Sequence, residues 1–345
     1  MTVSWLGSLR SNIGQRSSTN NSGQETIRHC RSRGGRDSSL KTLPNLVVST
    51  HKTSNLPQEI VNKIISGFNS LRFALTDPPR LQLARLKYEH LYTDKNEEPL
   101  ISICLPTYNR ARLLVELAVP SVLGQTYRNF ELIIIGDHCT DETEMEVSKI
   151  KDPRIRFHNI PQRGYRYPPT AENHWFAGPV VALNQALKMV RGKWIARIDD
   201  DDIWTEDHLA ALLDFAQKGD FEFVSARYER ERYGKREVVA GEYAGGPYFN
   251  PKATTISGPR LGGTQTWAYR SYMHFFRYNI NCWRKSWNRV NDIDLEYRIY
   301  KAGARIGFLD KVVGYILPRP GEETVGLEAY KMTEDEKLKH FEFDR

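Results

Sequence analysis

Between residues 100 and 215 the chain alternates short apolar runs with longer amphipathic ones. Leu100-Ile101-Ser102-Ile103-Cys104-Leu105 reads as a buried strand, and Phe130-Glu131-Leu132-Ile133-Ile134-Ile135 as a second, about 30 residues on. Continuous apolar runs of this length suit strands covered on both faces. Between them, Asn109 can cap a helix through Leu113, Leu114 and Leu117 to Leu123, with Pro120 expected to kink or end it locally. Strand, helix and strand at this spacing make a βαβ unit, whose crossover should be right-handed. Residues 141–150 read as helix, 155–158 as a short strand, and 180–189 as a helix that Gly192 ends. Trp194-Ile195-Ala196-Arg197-Ile198 is a further strand. It runs directly into Asp199, Asp200, Asp201 and Asp202, and Thr205-Glu206-Asp207 then opens a helix over 208–213.

Upstream, Pro57 opens a helical pattern with Ile60, Val61, Ile64, Ile65, Phe68 and Leu71 on one face. A second, basic amphipathic stretch passes through Leu81, Leu83, Leu86 and Leu91. Packing on the main domain, self-association and contact with a membrane surface all remain open for these stretches. Residues 94–99 read as a linker. Residues 1–55 are rich in Ser, Asn, Gly and Arg, hold too little apolar surface to offset chain entropy, and read as disordered.

Charge sharpens that division. The net charge is +7, but residues 1–55 hold eight Lys/Arg against Glu25 and Asp37, leaving +1 for the rest. The basic character therefore belongs to the tail and gives no reason to expect a specific nucleic-acid partner for the folded part. The four cysteines are scattered with no C-x-x-C pair, so free thiols are expected rather than a zinc site. No apolar run reaches the length of a membrane span, and the N-terminus has no continuous apolar leader. The expected location is the cytoplasm, with peripheral membrane contact left open.

The aspartate run carries the chemistry. Two unit charges about 6 Å apart cost roughly 0.7 kcal/mol in water and several times more in a low-dielectric cleft. Four carboxylates at a strand end therefore ask for a cation or for hydroxyl donors. Oxygen ligands suit a hard divalent ion, Mg²⁺ or Mn²⁺, especially one shared with a diphosphate. The plainer reading is helix punctuation, because carboxylates favour a helix's first turn. In open α/β sheets, ligands sit beyond the carboxyl ends of the strands. Three such ends are polar here: Thr107-Tyr108-Asn109, Asp137, and Asp199 to Asp202. There is no G-x-G-x-x-G or Walker A sequence, so neither a dinucleotide oxidoreductase nor a P-loop enzyme is indicated.

With these pieces in order, the chain resembles a family 2 glycosyltransferase of the GT-A fold. The resemblance rests on residues 101–110, 121–135, Asp137 with Thr140-Asp141, Asn184, 192–196 and the aspartates, and a weaker match continues to about residue 318. It implies a Rossmann-like α/β architecture, with a mixed, mostly parallel sheet flanked by helices. It also implies a metal-dependent, inverting transfer from a nucleoside-diphosphate sugar to an acceptor hydroxyl, in the setting of cell-envelope glycan biosynthesis. Carbohydrate, lipid-linked glycan and protein acceptors all remain open. By this resemblance Pro106, Thr107 and Tyr108 hold the base and Asp137 accepts a hydrogen bond from it. Asp199 and Asp200 hold ribose, and Asp201 binds the divalent cation, Mn²⁺ or Mg²⁺. The catalytic base falls to Asp292, with Asp294 second, in Asn291-Asp292-Ile293-Asp294-Leu295-Glu296-Tyr297-Arg298; the plain alternative is that either carboxylate caps the helix after it.

The sequence departs from the family pattern at Gly136, where an Asp is usual, and at His138-Cys139, where Gly-Ser is usual. A basic residue usual near the helix before the aspartates is also missing, which leaves phosphate contacts to His174, Arg163 or Arg166. Trp267, Tyr269, Tyr272, Trp283 and Trp287 are either a sugar platform or ordinary core. Residues 318–324 form a lid or a plain loop. The expected partition is 1–55 tail, 56–98 helical extension and linker, 99–318 transferase domain and 319–345 lid and tail. Within the domain, 99–215 would be the nucleotide half and 216–318 the acceptor half. A sugar nucleotidyltransferase and a non-enzymatic nucleotide-sugar-binding module are the competing classes. The first usually opens on a Gly-rich basic loop, and none follows Leu105.

Overall fold

Ile101–Thr107 (β1) and Phe130–Gly136 (β2) are buried at every position, as parallel neighbours covered on both faces must be. The computed structural model describes residues 57–319 and 322–330. The expected tail at 1–55, Pro320-Gly321 of the expected lid and the segment after Tyr330 lie outside the described residues.

β2 pairs with β1 on one side and with Ile155–Asn159 (β3) on the other, and Trp194–Arg197 (β4) flanks β1 on its opposite side, all in parallel. The chain thus steps outward from β1 to β3 and returns to the far side of β1. This reversal opens a crevice beyond the ends of β1 and β4, where ligands bind in open α/β sheets.

The sheet continues with strands of the second half. Asp202–Trp204 (β5), Phe223–Arg232 (β6), Lys235–Val239 (β7), Glu242–Tyr243 (β8), Arg260–Leu261 (β9), Ala268–Arg270 (β10) and Ile306–Ile316 (β11) complete the set. The order is β3-β2-β1-β4-β10-β6-β11-β5, with β7 hairpinned onto β6 and β8-β9 a separate ribbon. β10 and β5 run against the other six strands of that path. This is the mixed, mostly parallel α/β sheet that the GT-A resemblance implies.

Alternation along β1 divides the core. Ile101, Ile103 and Leu105 face Leu114, Val122, Leu209 and Leu212, whereas Cys104 faces Leu183, Ala186 and Tyr269. Gly192 does not end the preceding helix through a left-handed cap. It lies against β1, where an added Cβ would sit 2.4 Å from the Leu100 carbonyl oxygen, and its N–H donates to Ser102 Oγ at 2.9 Å. The expected interruption near Pro120 is a π-helical turn over Leu114–Ala118. The Val119 N–H reaches back to the Leu114 carbonyl, and the helix restarts with Pro120 in its first turn.

The two upstream amphipathic stretches form one helix, Gln58–Tyr88, running through Pro78-Pro79. One face is fixed to the domain by charge. Asp77 pairs with Arg298 at 2.8 Å, and Arg85 reaches Glu222 through Nε at 2.7 Å. The Arg298 guanidinium also lies 3.5 Å from the Phe73 ring centroid.

Candidate active site

The loop beyond β1 and the loop beyond β2 are tied together. The Asp137 N–H donates to the Thr107 carbonyl at 2.8 Å, and the Thr140 N–H donates to Asn109 Oδ1 at 2.8 Å. The departures from the family pattern have local causes. A Cβ at Gly136 would lie 2.6 Å from Asn159 Oδ1, the atom that accepts the Cys139 N–H. No side chain fits there while Asn159 holds the loop. His138 has φ +62°, a left-handed conformation in which glycine is relaxed and a side chain is not.

Asp137 is buried. Its Oδ2 accepts from Arg166 at 2.5 Å and lies 3.4 Å from Arg163, while its Oδ1 is buried with no hydrogen-bond partner. The Arg163 guanidinium also lies 4.0 Å from the Tyr108 ring centroid, and its Nη2 is 3.1 Å from His174 Nδ1. Burial, then the surrounding arginines, pushes the His174 imidazole well below its usual range, so it is neutral. Arg163 and Arg166 therefore gather at the Asp137 side of the cavity rather than beside the aspartate run.

The four aspartates occupy four different environments. Asp199 pairs with Arg197 at 3.1 Å. Asp200 is buried; its Oδ2 accepts from Thr107 Oγ1 at 2.7 Å and its Oδ1 from Arg110 at 2.9 Å. Asp201 Oδ2 accepts from both Arg110 and Arg319, each at 3.0 Å. Asp202 is the first residue of β5, opposite Ile316 of β11, so a short strand separates the run from the helix His208–Lys218. Burial lifts the Asp200 carboxyl above its ordinary value. At Asp201, burial acts in the same direction, but Arg110 and Arg319 overcome it and the carboxyl is lowered. Asp202 is pushed well above the usual range by burial and then by Asp201 and Asp199. A cluster that spreads its ionisation this way avoids stacking four full charges in one cleft.

The opposite wall is the helix Asn291–Lys301. Its N-cap, Val290, makes no side-chain cap, so neither Asp292 nor Asp294 is the capping residue. Asp292 accepts the Ile293 N–H at 2.8 Å and faces the cavity. Burial lifts its carboxyl, and Arg197, itself buried at the end of β4, opposes that lift. Asp294 points elsewhere: it is buried against Lys285 at 2.8 Å and near Arg298 at 3.6 Å. Glu296, one turn beyond Asp292, is also buried on the cavity wall, and its Oε1 has no hydrogen-bond partner.

These elements enclose one cavity of about 540 Å³, in the range of small-molecule sites. Pro106, Thr107, Tyr108 and Asp137, the run Asp199 to Asp202, and Asp292 with Glu296, Tyr228 and Tyr248 all line it. Pro106, Thr107, Tyr108, Asp137, Asp199, Asp200, Asp201 and Asp292 thus line one space together with His174, whereas Asp294, Arg163 and Arg166 are not in its lining. Of the two readings left open for the aromatics of 267–287, the platform is not found in this cavity. Trp267, Tyr269, Tyr272 and Trp283 are buried core, and none of the five lines the cavity. Tyr228, Tyr248 and Trp175 stand there instead. Sequence reasoning also gave no role to Arg110 and Arg319, although Arg110 directly follows the β1 loop.

Against known proteins, the profile described as Glycosyl transferase family 2 matches residues 102–283, more than half of the chain. The UDP-Glc:alpha-D-GlcNAc-diphosphoundecaprenol beta-1,3-glucosyltransferase WfgD of Escherichia coli is 30% identical over 161 residues, 47% of this chain and 55% of that protein. The putative colanic acid biosynthesis glycosyl transferase WcaA of Escherichia coli K12 is 36% identical over 122 residues, 35% of this chain and 39% of that protein. The chain therefore spans about half the length, or less, of these relatives. Among solved structures, S. aureus TarS 1–349 with UDP-GlcNAc aligns at a TM-score of 0.46 and 21% identity, covering 65% of this chain and 60% of that one. The mannosyltransferase PcManGT from Pyrobaculum calidifontis, with GDP-Man and Mn²⁺, aligns at 0.45 and 16%, covering 71% and 67%.

Proposed function

Because the chain belongs to glycosyltransferase family 2, we propose that it moves a sugar, with inversion, from a nucleoside-diphosphate sugar to an acceptor hydroxyl. The observation that carries this reading is the shared cavity: the aspartate run and the Asp292 carboxylate face one space. The base would lie against Pro106, Thr107 and Tyr108. Asp137 Oδ1, buried and unsatisfied, is positioned to accept a base N–H and so recover the cost of its burial. Asp199 and Asp200 take the ribose side, with Asp199 the more open of the two.

Asp201 is the residue that would hold a divalent cation, Mn²⁺ or Mg²⁺. Of Asp200, Asp201 and Asp202, its carboxylate is the one that stays ionised most readily. Among the described residues no three His, Cys, Asp or Glu side chains form a complete cage. An ion held here would therefore take one or two carboxylates and complete its shell with substrate phosphates and water. When bound, it would neutralise charge developing on the leaving diphosphate. Arg110 and Arg319, already on Asp201, would meet the same anionic oxygens.

Asp292 then serves as base. It takes the acceptor hydroxyl proton as that oxygen bonds to the anomeric carbon, while the bond from that carbon to the diphosphate breaks and its electron pair leaves with the diphosphate. One displacement inverts the anomeric centre and needs one base. Burial supports the role, because a carboxylate lifted above its ordinary value is a stronger base. The acceptor is an alcohol of a carbohydrate, lipid-linked glycan or protein, and the lipid-diphosphate acceptor in the name of WfgD favours the second.

The test is a screen of nucleotide sugars with Mn²⁺ or Mg²⁺, read as release of nucleoside diphosphate. Asp201→Ala is expected to abolish release and metal-dependent nucleotide binding. Full activity in that variant would overturn the assignment.

A further inference from the structure

The helix Gln58–Tyr88 shows solvent an apolar face that the transfer reaction does not use. Ile60, Ile64, Phe68, Leu71, Leu75, Leu83 and Leu86 recur at intervals of three or four residues, with Pro79 in the slot between Leu75 and Leu83. Their exposure runs from 43% at Ile60 to 83% at Leu86. The opposite face is the one that packs on the domain, through Asn69, Asp77, Leu81 and Ala84. An apolar stripe on the solvent side of a helix already docked by its other side calls for an apolar partner.

Charge identifies the partner. The exposed ionic side chains of the helix are Lys63, Arg72, Arg80 and Lys87 against Glu59 in the first turn. Its other acid, Asp77, is buried against Arg298. A second copy of the helix would bring basic edges together with almost no carboxylate to pair them, the opposite of what helix pairing selects. Residues 1–55 add +6 immediately upstream, so the tail is also a poor electrostatic match for these edges. Apolar side chains bordered by Lys and Arg suit an anionic bilayer surface, where acyl chains take the stripe and headgroups meet the cations. No described helix is long and apolar enough to cross a membrane, so this one would lie in the interface plane.

We propose that the Ile60–Leu86 face of this helix docks the protein on an anionic lipid surface. Asp77 holds Arg298 on the helix that carries Asp292, and Arg85 holds Glu222 beside β6. The helix is thus held on the domain by ion pairs on the side away from its apolar face. This inference does not depend on the transfer reaction.

The test is co-sedimentation of the full chain with vesicles of phosphatidylglycerol in phosphatidylcholine, against phosphatidylcholine alone. The expected result is binding to the anionic vesicles that weakens with salt and drops about tenfold or more in Phe68→Glu/Leu75→Glu. Both positions are exposed, and unchanged circular dichroism and thermal melting confirm that the variant is folded. Arg72→Glu/Lys87→Glu should lose the preference for anionic vesicles. Equal sedimentation of the wild type and the Phe68/Leu75 variant would overturn the proposal in favour of the tail. A wild type that ignores vesicles, and whose dimer this variant dissociates in light scattering, would overturn it in favour of a second copy.

Discussion

The Thr107 hydroxyl donates to the Asp200 carboxylate at 2.7 Å, joining the end of β1 to the aspartate run across 93 positions of sequence. Arg110 donates to the same buried carboxylate. Hydrogen bonds to charged groups contribute about 1.5–3 kcal/mol. Thr107→Val keeps the shape and removes the donor, so nucleotide affinity is expected to fall about tenfold or more by calorimetry. Thr107→Ser should restore most of it. Unchanged affinity in Thr107→Val would separate Asp200 from donor binding.

Asp292 and Asp294 lie two residues apart and predict opposite phenotypes. Asp292→Asn removes the proposed base and should lower kcat by about 10² to 10⁴, with donor affinity retained. Asp294→Asn leaves Lys285 without its buried partner and should cost on the order of 3 kcal/mol in stability, read by chemical denaturation. Its folded fraction should turn over normally. The reverse pattern would exchange their roles.

The acid side of the rate profile follows from the Asp292 environment. The proposed base must be ionised, and burial lifts its carboxyl above the ordinary value. Activity should therefore fall with decreasing pH earlier than for a solvated carboxylate. Arg197 opposes the lift, so Arg197→Met should move the acid limb of kcat to still higher pH. A limb that stays in place would detach it from Asp292.

Acid lability should come from a second site. His208 is stacked on Trp204 with ring centroids 3.8 Å apart, and burial drives its imidazole down to about 3. Its ordinary value is near 6.5, so below that pH the unfolded chain binds a proton that the native chain refuses. Stability is fully present above 6.5 and is lost as pH falls toward 3, by about 3 kcal/mol between pH 6.5 and 4. His208→Gln should flatten the slope of denaturation free energy against pH by about one proton. An unaltered slope would remove His208 as its source.

The first half of the sheet was legible because strands buried on both faces are unbroken apolar runs. β1, β2 and β4 fall where those runs stand, and the helix Val180–Met189 has its expected bounds. β5 and β10 have three residues each, too few for any period to show, so the aspartates read as leading straight into a helix. The first helix read as two stretches, and it contains Pro78-Pro79, whose missing N–H groups and rings weaken a helix locally. Packing through Asp77 and Leu81 outweighs that loss.

The site was half legible. Groups at strand ends announce themselves through topology, so Thr107, Asp137 and the aspartates could be placed together. Arg319 could not, since it reaches Asp201 from 118 residues away and nothing local marks the return. The aromatics of 267–287 stayed ambiguous because large rings serve a core and a sugar platform equally well, and only burial separates the two uses.

The helix Asn291–Lys301 carries Asp292 toward the cavity and Arg298 toward Asp77. The spacing between those two residues is therefore a phase relationship. Inserting or deleting one residue between them would turn one against the other by about 100°. Either the carboxylate would leave the cavity or the guanidinium would leave its buried acid. Substitutions along this stretch can be absorbed side chain by side chain, but a change in its length cannot.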